Sequence, residues 1–317
     1  MELFGLTIPL TIVKALAIIL IFNIVCLAVF YFLDKKKQTE MSKELYLRTR
    51  SWLYIAIGIA ALVILPPIVG TVLLAYISFV ALREMFSISG LREADRMALI
   101  VAYAAVPIQY FLAYTGALKL FNSFIPITMV IVIPFILVVN GKTEKIGRSM
   151  SLIPSIMILT IFMLSHIALL FNFEAPGFEV GYAGLILFLV ILTALNDVFQ
   201  FTWGKLLGKH KITPNISPNK TWEGFIGGIL TTGALGALIH FLTPLSALEA
   251  GITGFVLGII GFAGDILVSA IKRDLKIKDT DDLIPGHGGA MDRMDSLLLT
   301  APVFYQLLNF FMAHPIG

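Results

Sequence analysis

Between Ile8 and Phe32 the chain runs for 25 residues with a single charge, Lys14. A bilayer core takes about 20 mostly apolar residues to cross as a helix, and only helices or closed barrels satisfy their backbone there. Nine further stretches of this kind follow: Trp52–Pro66, Pro67–Met85, Met97–Gly116, Leu120–Val139, Met150–Phe171, Gly181–Phe201, Gly224–Leu242, Ala247–Ala270 and Ser296–Ala313. They predict an all-α polytopic membrane protein of about ten transmembrane helices. Composition agrees. Of the 317 residues 58% are hydrophobic and 14% charged, against about a quarter charged in a soluble domain. Leu53 to Leu82 carries no charge and is interrupted by Pro66-Pro67. Proline removes a helix donor and clashes with the preceding turn. Two short spans joined by a tight outer turn are expected, with one kinked helix as the alternative.

Basic residues set the orientation. With an outside N-terminus, the inside loops are 33–51, 83–96, 140–149, 204–222 and 272–295, and they hold 21 of the 23 Lys and Arg. Positive residues stay on the cytoplasmic side of a membrane. The outer loop 172–180 carries only Glu174 and Glu179. The first segment is too long for a signal h-region and lacks a small-residue cleavage pattern, so it is expected as an anchor. Lys35-Lys36-Lys37 beyond it can flank the span or rest on anionic headgroups. The organisation expected is 1–51 as anchor and basic linker, 52–171 as N-terminal membrane helices, and 172–317 as a C-terminal catalytic region. A net charge of +3 gives nucleic-acid binding no support, and the single Cys26 excludes a disulfide framework.

Polar residues of the first half read as flanks. In the second half they form three clusters toward the inner face. The first is Asn196-Asp197, followed by Gly204-Lys205 and Gly208-Lys209-His210-Lys211. An aspartate within apolar sequence normally faces a cavity or a partner; a hydrated interface position is the plainer reading. The glycine spacing is one residue short of a phosphate-binding P-loop, and His210 stands where Ser or Thr is needed. The second cluster, Ser217 to Gly224, opens the eighth span. It contains Lys220, Thr221 and Glu223, and suits either a phosphate at a helix start or simple capping.

The third cluster is the densest. Asp265, Ser269 and Lys272 are spaced by four and three, and Arg273 follows, so they share a helical face. Lys278, Asp279, Pro285-Gly286-His287-Gly288-Gly289 and Asp292-Arg293-Met294-Asp295 continue it. Asp292 and Asp295 are three apart and can face together. The glycine turn could bring them to Asp265. Carboxylates suit a hard divalent cation, and Lys or Arg suit phosphate oxygens. The set points to metal-assisted chemistry on a phosphate ester at a membrane surface. A salt-bridged loop is the alternative.

Residues 269–295 resemble the signature of the phosphatidate cytidylyltransferase (CDP-diglyceride synthetase) family, and Ser217–Gly224 resembles its second conserved stretch. The resemblance implies that CTP and phosphatidic acid give CDP-diacylglycerol and pyrophosphate. It implies Mg²⁺ paired with a monovalent cation such as K⁺ around Asp265 and Asp292, with Asp295 close by. Lys272 joins these acids as a catalytic candidate. Asp197, Ser217, Lys220, Thr221, Glu223, Ser269, Arg273, Lys278, Asp279, His287, Gly288, Gly289 and Arg293 become substrate-binding candidates. A homodimer in a bacterial-type inner membrane, among membrane lipids, is also implied. Asp281, Ala290 and Val198-Phe199-Gln200-Phe201 depart from the family pattern and suggest a divergent subgroup. The rival readings are a cytidylyltransferase or kinase for another lipid, and an ion-coupled transporter. No Asp-Gly-x-x-Ala-Arg run supports a CDP-alcohol phosphotransferase. Gly227-Gly228, Gly258 and Gly261 serve either close helix packing or a groove for acyl chains.

Overall fold

Each expected apolar segment forms a helix. The computed structural model describes residues 2–3, 6–7, 9–37, 40–277 and 289–316. Its ten long helices are α1 (Leu10–Lys37), α2 (Glu40–Ile64), α3 (Pro67–Ile88), α4 (Arg96–Tyr114) and α5 (Leu118–Val139), then α6 (Ile146–Asn172), α7 (Gly181–Leu207), α8 (Trp222–Leu238), α9 (Ala247–Asp274) and α10 (Met291–Ala313). Eight are long and apolar enough to cross a membrane. The exceptions are α2, whose apolar part is Thr49–Ile64, and α8, which has 17 residues. Pro66-Pro67 breaks the chain as expected: α2 ends at Ile64, and Pro67 opens α3, where a missing N–H costs nothing. The helical ladder widens to π geometry at Thr128–Val132 and Ile158–Met163, shortly after Pro126 and Pro154.

The fold is all-α as expected, apart from two small strand pairs among the described residues. β1 (Glu2–Leu3) pairs with β2 (Leu6–Thr7), and β3 (Lys211–Thr213) pairs antiparallel with β4 (Ser217–Thr221). The second hairpin lies between α7 and α8, and its last residue is also the cap of α8. Pro214 and Pro218 end local helix potential there, and the Ile216 amide closes the turn on the Thr213 carbonyl at 3.1 Å.

Helix α7 is central: Ala183 through Leu189 are buried all round. Phe188 stacks on Phe304 of α10, and Tyr110, Phe121 and Leu82 fill the core toward α3 to α6. Helices α7, α8 and α9 meet through glycines. A Cβ at Gly236 would lie 2.5 Å from the Ala250 carbonyl oxygen, and one at Gly254 would lie 2.7 Å from that of Thr232. Gly227 and Gly228 face Trp203 and Gln200, while Gly258 and Gly261 face Asn196. These glycines are consumed by helix packing, the first of the two roles expected for them. The approach is close enough to bring the polar ends of four helices together.

Candidate active site

The C-terminal end of α7, the β3–β4 hairpin, the start of α8, the end of α9 and the start of α10 form one polar region. Asn196 ties the helices beneath it. Its amide donates to the Gly258 carbonyl at 3.2 Å, and its carbonyl oxygen accepts from Thr232 Oγ1 at 3.0 Å. The next residue, Asp197, accepts from Ser296 Oγ of α10 at 3.1 Å. Its Oδ1 is shielded from solvent and has no hydrogen-bond partner among the described residues.

Asp265 lies across from it on α9. Its Oδ2 is 2.6 Å from Lys220 Nζ of β4, and its Oδ1 accepts from Ser269 Oγ at 3.3 Å. The Lys220 ammonium also reaches Gln200 Oε1 at 3.4 Å and sits 5.4 Å from the Phe262 ring centroid. Asp292 is buried and pairs with Lys272 Nζ at 2.6 Å, while its Oδ2 accepts from the Gly289 amide at 3.1 Å. Asp295 is half-buried and lies within electrostatic range of Asp265, Asp197 and Lys272. Its Oδ1 accepts from the Ser296 amide at 2.7 Å. The expected face of Asp265, Ser269 and Lys272 is therefore present. Asp265 and Asp295 lie near one another, and Asp292 joins the cluster through Lys272.

The remaining candidates divide by location. Thr221 caps α8, its Oγ1 accepting from the Gly224 amide at 3.2 Å. Glu223 accepts from the Lys209 and His210 amides at 3.0 and 3.3 Å and from His210 Nδ1 at 2.6 Å, which clamps the Gly208–His210 turn. Ser217 pairs with Thr213 in the hairpin. Arg273 donates to the Ile216 carbonyl at 3.2 Å and the Ile277 carbonyl at 3.4 Å, so it fastens the hairpin turn to α9. Arg293 is exposed. Lys278, Asp279, His287 and Gly288, with the departure at Asp281, lie outside the described residues.

Two buried residues escaped the sequence reading. Gln200 stands in the Val198–Phe201 departure and links Lys220 to the Gly258 carbonyl. Glu84 of α3 corrects the expectation that first-half polar residues are flanks. It is 2% exposed, and its two oxygens accept from the Ala290 and Met291 amides at 2.8 and 3.0 Å. The adjacent pair Arg83-Glu84 looks like an interfacial flank, and only tertiary contact distinguishes it.

Among the described residues, no three His, Cys, Asp or Glu side chains are arranged to hold a metal ion. The chemistry of the donors still fits a hard cation. Asp197, Asp265 and Asp295 offer oxygen ligands in one region, and one of those oxygens is buried without a partner. An ammonium already sits against two of the acids, Lys220 on Asp265 and Lys272 on Asp292.

Many long apolar helices make this an integral, multi-pass membrane protein, with acids and lysines gathered in one region. Residues 46–311 match the cytidylyltransferase family, and the chain belongs to it. It is similar to the uncharacterized protein YnbB of Escherichia coli (strain K12), 36% identical over 298 residues, covering 94% of this chain and 98% of that one. It is also similar to the phosphatidate cytidylyltransferase of Mycobacterium leprae (strain TN), 39% identical over 152 residues, covering 47% of this chain and 49% of the relative. The enzyme of that name from Aquifex aeolicus (strain VF5) is 44% identical over 115 residues, 36% of this chain and 43% of the relative. The chain thus spans about half the length of the named enzymes it matches.

Proposed function

We propose that this protein transfers a cytidylyl group from CTP to phosphatidic acid, releasing pyrophosphate and leaving CDP-diacylglycerol in the membrane. The convergence of Asp197, Asp265, Asp292 and Asp295 with Lys220 and Lys272, from three membrane helices and the β3–β4 hairpin, carries this reading. Positive residues in the same loops argue for a cytoplasmic site in a bacterial-type inner membrane. A homodimer follows from the family resemblance.

A phosphate oxygen of the lipid attacks the α-phosphorus of CTP in line, and pyrophosphate departs from the opposite side. Lys220 and Lys272 hold phosphate oxygens on moving from their carboxylates, and the exposed Arg293 at the start of α10 adds a further positive charge. Thr221 and Glu223 shape the turn over which the nucleotide lies. Asp265, Asp292 and Asp295, with Asp197, would hold Mg²⁺ and its K⁺ companion. Bound there, the cations supply charge neutralisation at the phosphates. No general base is needed, because a phosphate monoester is already largely ionised near neutral pH.

The test uses purified protein, CTP, phosphatidic acid and Mg²⁺, reading pyrophosphate and CDP-lipid together. Asp265→Asn or Asp292→Asn is expected to lower both by about 100-fold or more. Wild-type rates in both variants would remove the carboxylate assignment. Inactivity toward phosphatidic acid with activity on an isoprenoid phosphate, or with ATP, would transfer the reading to the alternative lipid substrates.

A further inference from the structure

A buried carboxylate is costly unless its oxygens are hydrogen-bonded. Glu84 meets that condition in a specific way. Each of its oxygens takes one amide, from Ala290 and Met291. These belong to the first N–H groups of α10, which have no acceptor within their own helix. Ala290, at the cap position of α10, has no side-chain acceptor to offer these amides. The negative charge also suits the positive end of the helix. Glu84 therefore caps α10 from α3, across a sequence separation of 206 residues.

The turn so capped is the one that carries the chemistry. Asp292 follows Met291 directly, holding Lys272 with one oxygen and the Gly289 amide with the other. Asp295 lies one turn further on, beside Asp265. We propose that Glu84 is a positioning residue for cytidylyl transfer. It fixes the first turn of α10, and with it Asp292 and Asp295, against Asp265 and Lys272 on α9. This rests on the reaction proposed above. It makes α3 part of the reaction centre's frame, so that a helix far from the signature in sequence sets its alignment.

The test compares the full-length protein with Glu84→Gln. The amide keeps the size of the side chain but turns an NH₂ toward a backbone donor, so one of the two bonds is lost. Per folded molecule, kcat is expected to fall about 100-fold, as displacement by about 1 Å does in other sites. The KM for CTP should stay within about threefold, because the hairpin and α8 are untouched. Independently of turnover, amide hydrogen exchange in residues 289–296 should quicken about tenfold, while α7 and α8 keep their protection. Should Glu84→Gln not accumulate, Glu84→Asp is read out in the same way; it keeps the charge and shortens the reach by one methylene. A lower melting temperature with unchanged kcat per folded molecule overturns the proposal, as does unchanged exchange at 289–296. Wild-type protein without cytidylyl transfer overturns the reaction instead, and leaves the exchange experiment to judge the cap.

Discussion

Gly264 immediately precedes Asp265 on α9 and faces α10. A Cβ there would lie 2.5 Å from the Asp295 carbonyl oxygen and 3.3 Å from Ser296 Cα. Ordinary contact begins near 3.4 Å, so Gly264→Ala must part the two backbones by about 0.9 Å along that line. Backbone atoms form the obstacle, and no rotamer change relieves it. Overpacking of this kind costs about 1–3 kcal/mol, offset by up to about 1 kcal/mol from the better helix propensity of alanine. The fold should survive. The chemistry should not, because the displacement separates Asp265 from Asp295, and about 1 Å of misplacement can cost about 100-fold in rate. Pyrophosphate release and thermal melting, measured on the same purified sample, separate the two effects. Gly58→Ala on α2 is the control, since nothing lies within 4 Å of its new methyl. Wild-type kcat in Gly264→Ala would refute the claim that close α9–α10 contact sets the site.

Lys272→Met takes the ammonium from Asp292, whose side chain is 3% exposed. Breaking a buried pair costs about 3–5 kcal/mol, and adding Asp292→Asn should recover more than half of it in a melting-based double-mutant cycle; additive losses would refute the pairing. Thr221→Ala removes the acceptor for the Gly224 amide and should cost about 1 kcal/mol. That appears as a drop of about 2 °C in melting temperature, and no drop would contradict the cap. Chelation of divalent cations should abolish CDP-lipid formation, and Mg²⁺ should restore it; turnover that persists in excess chelator would refute the carboxylate-bound cation.

Legibility in the sequence followed the range of the forces involved. Helix α1 could be read from Ile8–Phe32 because the bilayer imposes a length and a polarity on the segment itself. The face shared by Asp265, Ser269 and Lys272 could be read because helical periodicity is local. Pro66-Pro67 punctuated the chain through its own backbone chemistry. Glu84 could not be read, since its meaning lies in two amides more than 200 residues away. Nor could the β3–β4 hairpin, whose strands of three and five residues carry too short an alternation to set them apart from a cap. Arg273 could be read as a cation on the face of Asp265 and Ser269, but its bond to the Ile216 carbonyl could not, since that turn lies 57 residues away. Gln200 looked like a family departure and proved to be a partner of Lys220.

The balance of charge in this region constrains how it can be used. Four carboxylates, Asp197, Asp265, Asp292 and Asp295, stand beside two ammoniums, Lys220 and Lys272. The lysines best placed to grip a phosphate are the same ones that neutralise Asp265 and Asp292. If either leaves its acid for a phosphate, it exposes that acid to an approaching anion. Two like unit charges 4 Å apart repel by about 4 kcal/mol at an effective dielectric of about 20. A triphosphate entering alone would meet that repulsion more than once. A cation entering alone would have to displace an ammonium already held at 2.6 Å. On the reaction proposed above, Asp265 and Asp292 would be left to hold a cation as Lys220 and Lys272 turn to phosphate oxygens, and the cation would supply the charge neutralisation that the departing ammoniums withdraw. On that reading, the pairing of each lysine with an acid would favour entry of nucleotide and cation together over entry of either alone.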